Sequence, residues 1–333
     1  NMPLISTRFA ERFRPPCSAE LNGRLDTWFV GFCLHQFHEQ VTRLAGLERL
    51  AEKRDIAAGL VHEDVTLDGR VLAGFCKARS IPTVHFPHAP CHLQSPEPDI
   101  HKETRTDWLA ASGQQMADWY AATGFPHERI QTVGGLQWDW LYGGGLPEQA
   151  EARRVLRIHT APVICYGSSW TQTTALRSGF EREADEALSA ALKLARDWKA
   201  VLIVNVHRSE HPKAEEFYAR TIEMADVPGL VTRQHFSYVL AAADVFVAQG
   251  PSNRCIEAAL IGTPSVYIQT EGFDYATRLP FRCAPDDLPQ AAREALGSRG
   301  DPAWQEFIGE YNAVHPDGDA AECSLEFIEK ICR

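Results

Sequence analysis

Short apolar runs and longer stretches of helical spacing alternate along most of the chain. In the first half the apolar runs fall at 56–62, 82–86, 107–111 and 130–133, and each ends in a polar or Gly/Pro break. They read as strands. Trp28 to Leu50, Gly69 to Arg79 and Gln114 to Thr123 read as helices, the first broken near Gly46 and the last ended by Gly124. Residues 1–25 show no clear period. The second half restarts at Pro162 to Tyr166 and continues with strands at Ala200 to Val206, around Val231, at Val245 to Val247 and at Ser265 to Ile268. Helices are expected at Glu181 to Asp197, Glu215 to Ala225 and Tyr238 to Ala243. Strands separated by helices imply crossovers and parallel sheets. The expected fold class is therefore α/β, with two Rossmann-like domains facing across a cleft. Gly143-Gly144-Gly145 marks the link between them. It divides the chain into an abbreviated N-terminal domain, 1–145, and a C-terminal domain, 146–333. The last helix, near Ser324 to Ile331, is expected to pack back on the first domain.

The most informative stretch is Ala242 to Gln269, which reads as strand, Gly-containing turn, short helix and second strand. Gln249-Gly250-Pro251-Ser252-Asn253 breaks the strand, and Ser252 or Asn253 can cap the helix that follows. Glu257 lies one turn beyond Asn253 on the same face. A helix N-terminus at the carboxyl end of a parallel strand suits a diphosphate, and a carboxylate in the first turns can hold sugar or ribose hydroxyls. The plainer reading is an ordinary βαβ unit with a capped helix.

Composition narrows the field. At 333 residues the chain exceeds one ordinary core, which supports two domains. No apolar run has membrane-spanning length, and no basic, then apolar leader opens the chain. The nine cysteines are scattered singly, which fits a reducing cytoplasm better than a disulfide framework. The expected location is cytoplasmic, with the inner membrane face left open. A net charge of −11 argues against nonspecific nucleic-acid binding.

Four segments carry a resemblance. They are Leu60-Val61-His62-Glu63-Asp64-Val65-Thr66; Glu128 to Gly135 with Trp138-Asp139-Trp140-Leu141; Gln249 to Glu257 with Gly262-Thr263-Pro264; and Tyr311 to Glu322. In that order they resemble GT-B type glycosyltransferases of bacterial capsule and lipopolysaccharide synthesis. Their relatives include the UDP-N-acetylglucosamine 2-epimerases and CDP-glycerol glycerophosphotransferases. His207-Arg208 stands where the capsule enzymes have His-Pro. His-Arg also opens the epimerases' His-Arg-Arg-Glu-Asn run, which Ser209-Glu210-His211 does not reproduce. The resemblance implies a glycosyltransferase that moves a sugar from a nucleotide sugar, UDP- or CMP-linked, to an acceptor hydroxyl. A nucleotide-sugar 2-epimerase and a noncatalytic sugar-binding protein are the alternatives.

Glycosyl transfer needs a base, a site for the departing diphosphate and a pocket for base and ribose. Asp64, at a strand end, is the first candidate base. Glu63 is its neighbour on the opposite strand face, and His88, in a Pro-flanked loop, is the alternative. Gly167-Ser168-Ser169 offers backbone N–H groups and hydroxyls at a strand end. His207 and Arg208 can bring positive charge to the phosphates, with a surface pair between Arg208 and Glu210 as the plain alternative. The resemblance implies that Phe236, where relatives enclose the nucleobase, borders the base, with a core aromatic as the plain alternative. Gln249, Gly250, Ser252, Asn253 and Glu257 complete the donor set, and Glu271 and Asp274 can meet the sugar. No Asp-x-Asp motif stands in a suitable loop and no regular set of ligands is present, so neither a metal nor a bound cofactor is expected.

Overall fold

The structure, a computed structural model, describes residues 19–63, 66–87, 104–144, 146–158, 161–168, 180–208, 210, 212–233, 236–249, 253–269 and 280–333. It contains two parallel sheets flanked by helices. The first has the order β1-β2-β3-β4 (Gly59–Val61, Thr83–His85, Trp108–Ala111, Ile130–Thr132). The second has the order β10-β9-β8-β5-β6-β7, comprising β5 (Val163–Gly167), β6 (Val201–Asn205), β7 (Gly229–Thr232), β8 (Val245–Gln249), β9 (Ser265–Ile268) and β10 (Arg282–Cys283). The helices are α1 (Ala19–Ala51), α2 (Leu67–Ala78), α3 (Gln114–Ala122), α4 (Asp139–Tyr142), α5 (Gln149–Val155), α6 (Phe180–Trp198), α7 (Ala214–Met224), α8 (Phe236–Ala242), α9 (Asn253–Leu260), α10 (Leu288–Gly297), α11 (Pro302–Tyr311) and α12 (Ala320–Cys332). Among the described residues no helix is long and apolar enough to cross a membrane. The described chain forms two compact units. One takes the residues up to Phe86, with Thr104–Trp108 and Cys332, and the other takes the rest.

In the first unit β1 and β2 pair in parallel, Gly59 opposite Thr83 and Val61 opposite His85. Thr66 starts α2: its hydroxyl accepts the Gly69 N–H at 3.2 Å and donates to the Glu63 carbonyl at 2.8 Å. Gly59 is pressed against α2, where a Cβ would stand 2.6 Å from Cys76 Sγ. Ion pairs between Arg43 and Asp68 and between Arg79 and Glu48 tie α1 to α2. Helix α1 corrects two expectations. It begins at Ala19, well before Trp28, and runs through Gly46 without a break. One helical glycine costs only about 1 kcal/mol, which the flanking Leu, Ala, Arg and Glu residues offset.

The six-stranded sheet of the second unit explains why its strands read as continuous apolar runs. Alternate residues enter opposite cores. Ile164, Tyr166, Leu202, Val204, Val245 and Val247 pack on one face with α6, α7 and α10. Val163, Cys165, Ile203, Phe246 and Tyr267 pack on the other with α8, α9 and α11. From β5 the chain steps outward to β6 and β7, then returns to β8 on the other side of β5 and continues to β9 and β10. The strand order therefore reverses between β5 and β8. Phe236 is the first residue of α8 rather than a residue ahead of it.

The C-terminal segment closes on residues 134–142 of the same unit. The Gly135 N–H donates to Asn312 Oδ1 at 2.9 Å, and Asn312 Nδ2 donates to the Tyr142 hydroxyl at 2.8 Å. The Asp139 carboxylate accepts the first N–H groups of α12, from Ala320 at 3.1 Å and Ala321 at 2.8 Å. The Trp138 ring fills the space that a side chain at Gly135 would need.

Candidate active site at the strand ends

Open parallel sheets bind ligands outside the carboxyl ends of their strands, where the strand order reverses. In the second sheet that point is flanked by Gly167-Ser168 after β5 and by the start of α9 after β8. The turn after β6, described at residues 205–208 and 210, lies beside it.

Arg254, in the first turn of α9, is the hub. Its Nη1 donates to the Asn205 carbonyl at 3.0 Å, and its guanidinium stacks 4.9 Å above the Phe236 ring. Burial lowers its pKa, while the carboxylates of Glu257 and Glu210 favour its charged form and Arg208 opposes it. Glu257 follows on the same helix, half-buried. Burial pushes its carboxyl up to about 7, against the pull of Arg254, Trp138 and Arg208. The Trp138 indole N–H lowers the Glu257 pKa as a neighbouring donor, although it falls short of full hydrogen-bond geometry. A carboxyl poised near neutrality beside an arginine at a sheet switch point has the features of a working site.

Ser168 behaves differently from its expected role. Its N–H donates to the Asn205 carbonyl at 3.1 Å, and its hydroxyl bonds to Glu210. Its Oγ also accepts the His207 N–H at 2.8 Å. Its one hydroxyl proton and its N–H are thus committed within the protein, and Ser168 ties the ends of β5 and β6 together. Gly167 also has a packing reason: a Cβ there would stand 2.6 Å from the Phe246 ring. Glu210, expected at most to form a surface pair with Arg208, is 4 % exposed and bonds to Ser168, Tyr218 and the His207 N–H. It occupies the Glu position of the His-Arg-Arg-Glu-Asn run, so His207, Arg208 and Glu210 match that run at three of five places. His207 is half-buried and Arg208 exposed.

The structure brings Ser168, His207, Phe236, Asn253 and Glu257 to the second sheet's carboxyl ends. Glu63 lies in the other unit, in the loop after β1, with its carbonyl held by Thr66. Asp64, His88, Ser169, Gly250, Ser252, Glu271 and Asp274 lie outside the described residues, and for Gln249 only the backbone is described. Arg254 and Glu210 were missed. A signal for Arg254 was present, because a cation in a helix's first turn opposes the helix dipole and calls for a partner. Among the described residues no group of three or more His, Cys, Asp or Glu side chains could hold a metal.

This is a two-domain α/β architecture of the GT-B type. No protein-family model matches the chain, and no curated protein sequence matches it. Solved structures do. UDP-GlcNAc 2-epimerase from Neisseria meningitidis, bound to UDP-GlcNAc, is similar with a TM-score of 0.59 at 14% identity, over 87% of this chain and 81% of that one. The Methanocaldococcus jannaschii UDP-GlcNAc 2-epimerase, in complex with UDP-GlcNAc and UDP, gives 0.61 at 11% identity, over 88% and 82%. Anabaena Alr3699/HepE, in complex with UDP-glucose, gives 0.53 at 14% identity, over 85% and 82%. At such identities the likeness is one of fold.

Proposed function

We propose that this chain is an enzyme acting on a nucleoside-diphosphate sugar, with epimerisation at C2 of the sugar as the leading reaction. The observation that carries the reading is the cluster of Arg254, Glu257, His207 and Arg208 at the carboxyl ends of β5, β6 and β8, where the strand order reverses. In this reading Arg254, Arg208 and His207 supply positive charge and donors to the diphosphate. Glu257 takes ribose or sugar hydroxyls, and Phe236 with its stacked arginine borders the base. The donor side is assigned to residues 146–333 and the acid–base groups to 1–145, with Asp64 first and Glu63 and His88 behind it.

Epimerisation is preferred over transfer for two reasons. Fold neighbours matched over more than four-fifths of their length include named 2-epimerases, and Glu210 stands at the fourth place of the His-Arg-Arg-Glu-Asn run of the epimerases this chain resembles. Glycosyl transfer is the second reading, supported by the resemblance of the Gln249–Glu257 turn and the C-terminal segment to capsule transferases.

One experiment separates them. The protein is incubated with UDP-GlcNAc in heavy water and followed by proton NMR. Epimerisation at a C–H centre breaks and remakes that bond, so deuterium enters C2 and a second sugar nucleotide appears. A transferase releases UDP only when an acceptor is added. Calorimetry showing no binding of UDP-, CDP- or CMP-linked ligands would sink both readings.

A further inference from the structure

We propose that Glu210 is a positioning residue: its buried carboxylate fixes the turn after β6, and so aims the His207 and Arg208 side chains, without touching the ligand. The inference rests on the nucleotide-sugar reading above. Charged groups grip this turn at successive backbone atoms. Arg254 donates to the Asn205 carbonyl at 3.0 Å. Arg233 Nη1 donates to the carbonyls of His207 at 2.9 Å and Arg208 at 3.4 Å. Between them the His207 N–H donates to Ser168 Oγ and, at 3.3 Å, to Glu210 Oε1. The Glu210 N–H returns to the His207 carbonyl at 3.0 Å.

Three donors converge on the Glu210 carboxylate: the Ser168 hydroxyl, the Tyr218 hydroxyl at 3.0 Å and the His207 N–H. A carboxylate offers only acceptors and suits all three. A glutamine turns one of its two ends into a donor and leaves a clash of donors in a buried place. The end of β5, the turn after β6 and α7 therefore meet on one negative charge. Burying that charge is costly, which a group needed only for packing would not require.

The sign of the effect separates positioning from simple electrostatics. As a bare charge, an anion beneath an anion-binding turn repels the ligand, and its removal tightens binding. As a clamp, its removal loosens the turn and weakens binding. The test compares wild type with Glu210→Gln and Glu210→Asp by calorimetry against UDP and against uridine, with hydrogen exchange at the 205–208 amides. For Glu210→Gln the UDP dissociation constant should rise about tenfold or more while uridine affinity stays put, and the amides should exchange faster. Glu210→Asp, which keeps the charge, should recover part of the loss. Unchanged or tighter UDP binding by a folded Glu210→Gln protein overturns the proposal. If Glu210→Gln does not fold, Tyr218→Phe removes one of the three donors and should raise the UDP constant about two- to fivefold; no rise overturns the clamp. If the wild type binds no nucleoside diphosphate, the functional reading fails by itself, and the exchange rates alone decide the clamp: unchanged rates overturn it.

Discussion

The two ends of β5 both carry charged residues, but in different states. At the amino end, Asp244 accepts from Arg153 Nη2 at 2.7 Å and from the Val163 N–H at 2.8 Å, and Arg153 Nε donates to the Ala242 carbonyl at 3.0 Å. Each charge there meets an opposite charge or a backbone group, which closes the edge of the core. At the carboxyl end, Arg254 is pushed down by burial and Glu257 is pushed up to about 7. Their attraction for each other and the Asn205 contact offset that desolvation cost only in part. A strand end whose charges satisfy one another is architecture, and one whose charges are held away from their ordinary state is the better place to look for chemistry.

The comparison breaks most easily at Arg254. Arg254→Ala should weaken UDP binding by roughly 2–5 kcal/mol in a protein that still folds, because one side chain carries the cation, the Asn205 contact and the stack on Phe236. Arg254→Lys should restore only part of this, since an ammonium lacks the planar fork. Calorimetry on both variants is the measurement, and equal affinity in Arg254→Ala would erase the distinction between the two ends.

Next in size is Glu257. Glu257→Ala should remove hydrogen bonds to ribose or sugar hydroxyls and cost about 1–3 kcal/mol of nucleotide affinity, with the fold intact. Asp244→Ala is the counterpart at the amino end. It should lower unfolding stability by about 1–3 kcal/mol, because Arg153 and the Val163 N–H lose their shared acceptor, and leave UDP affinity within about twofold. Urea unfolding and calorimetry on the same two variants test the contrast. If Asp244→Ala costs nucleotide affinity and Glu257→Ala costs only stability, the ends have been assigned the wrong way round.

Much of this architecture was legible from period and punctuation. The strands at 163–167, 201–205, 245–249 and 265–268 are apolar runs closed by polar or Gly-containing turns, and they form as read. The elements between residues 280 and 311 went unread although two carried signals: Asp301 caps α11 through the Ala303 N–H with Pro302 beginning the helix, and Pro289 stands in the first turn of α10. At the site, the approximate place was legible but the division of labour was not. Ser168 was read as a free hydroxyl because nothing local shows that Glu210, 42 residues on, engages it. Glu210 was read as a surface charge because its burial depends on Tyr218 and on the joining of two strand ends. Long-range satisfaction of polar groups leaves no periodic trace in a sequence.

The last effect concerns pH and isolates the carboxyl end without any ligand. Burial holds Glu257 at about 7, against an ordinary 4.5. In the unfolded chain it loses its proton near the lower value. Between the two, the folded protein keeps a proton that the unfolded chain has lost, so the folded state binds more protons and stability falls as pH rises. The decline begins above 4.5 and ends near 7. Glu257→Gln keeps the shape of the neutral form and removes the ionisation, so its stability should fall less across this interval than that of wild type. Asp244→Asn should leave the Glu257 decline in place, because Glu257 is still present. Urea unfolding of the three proteins at about pH 5 and about pH 7 makes the comparison. Equal pH dependence in wild type and Glu257→Gln would mean that Glu257 ionises as freely as a surface carboxylate. The carboxyl end would then differ from the amino end only through Arg254.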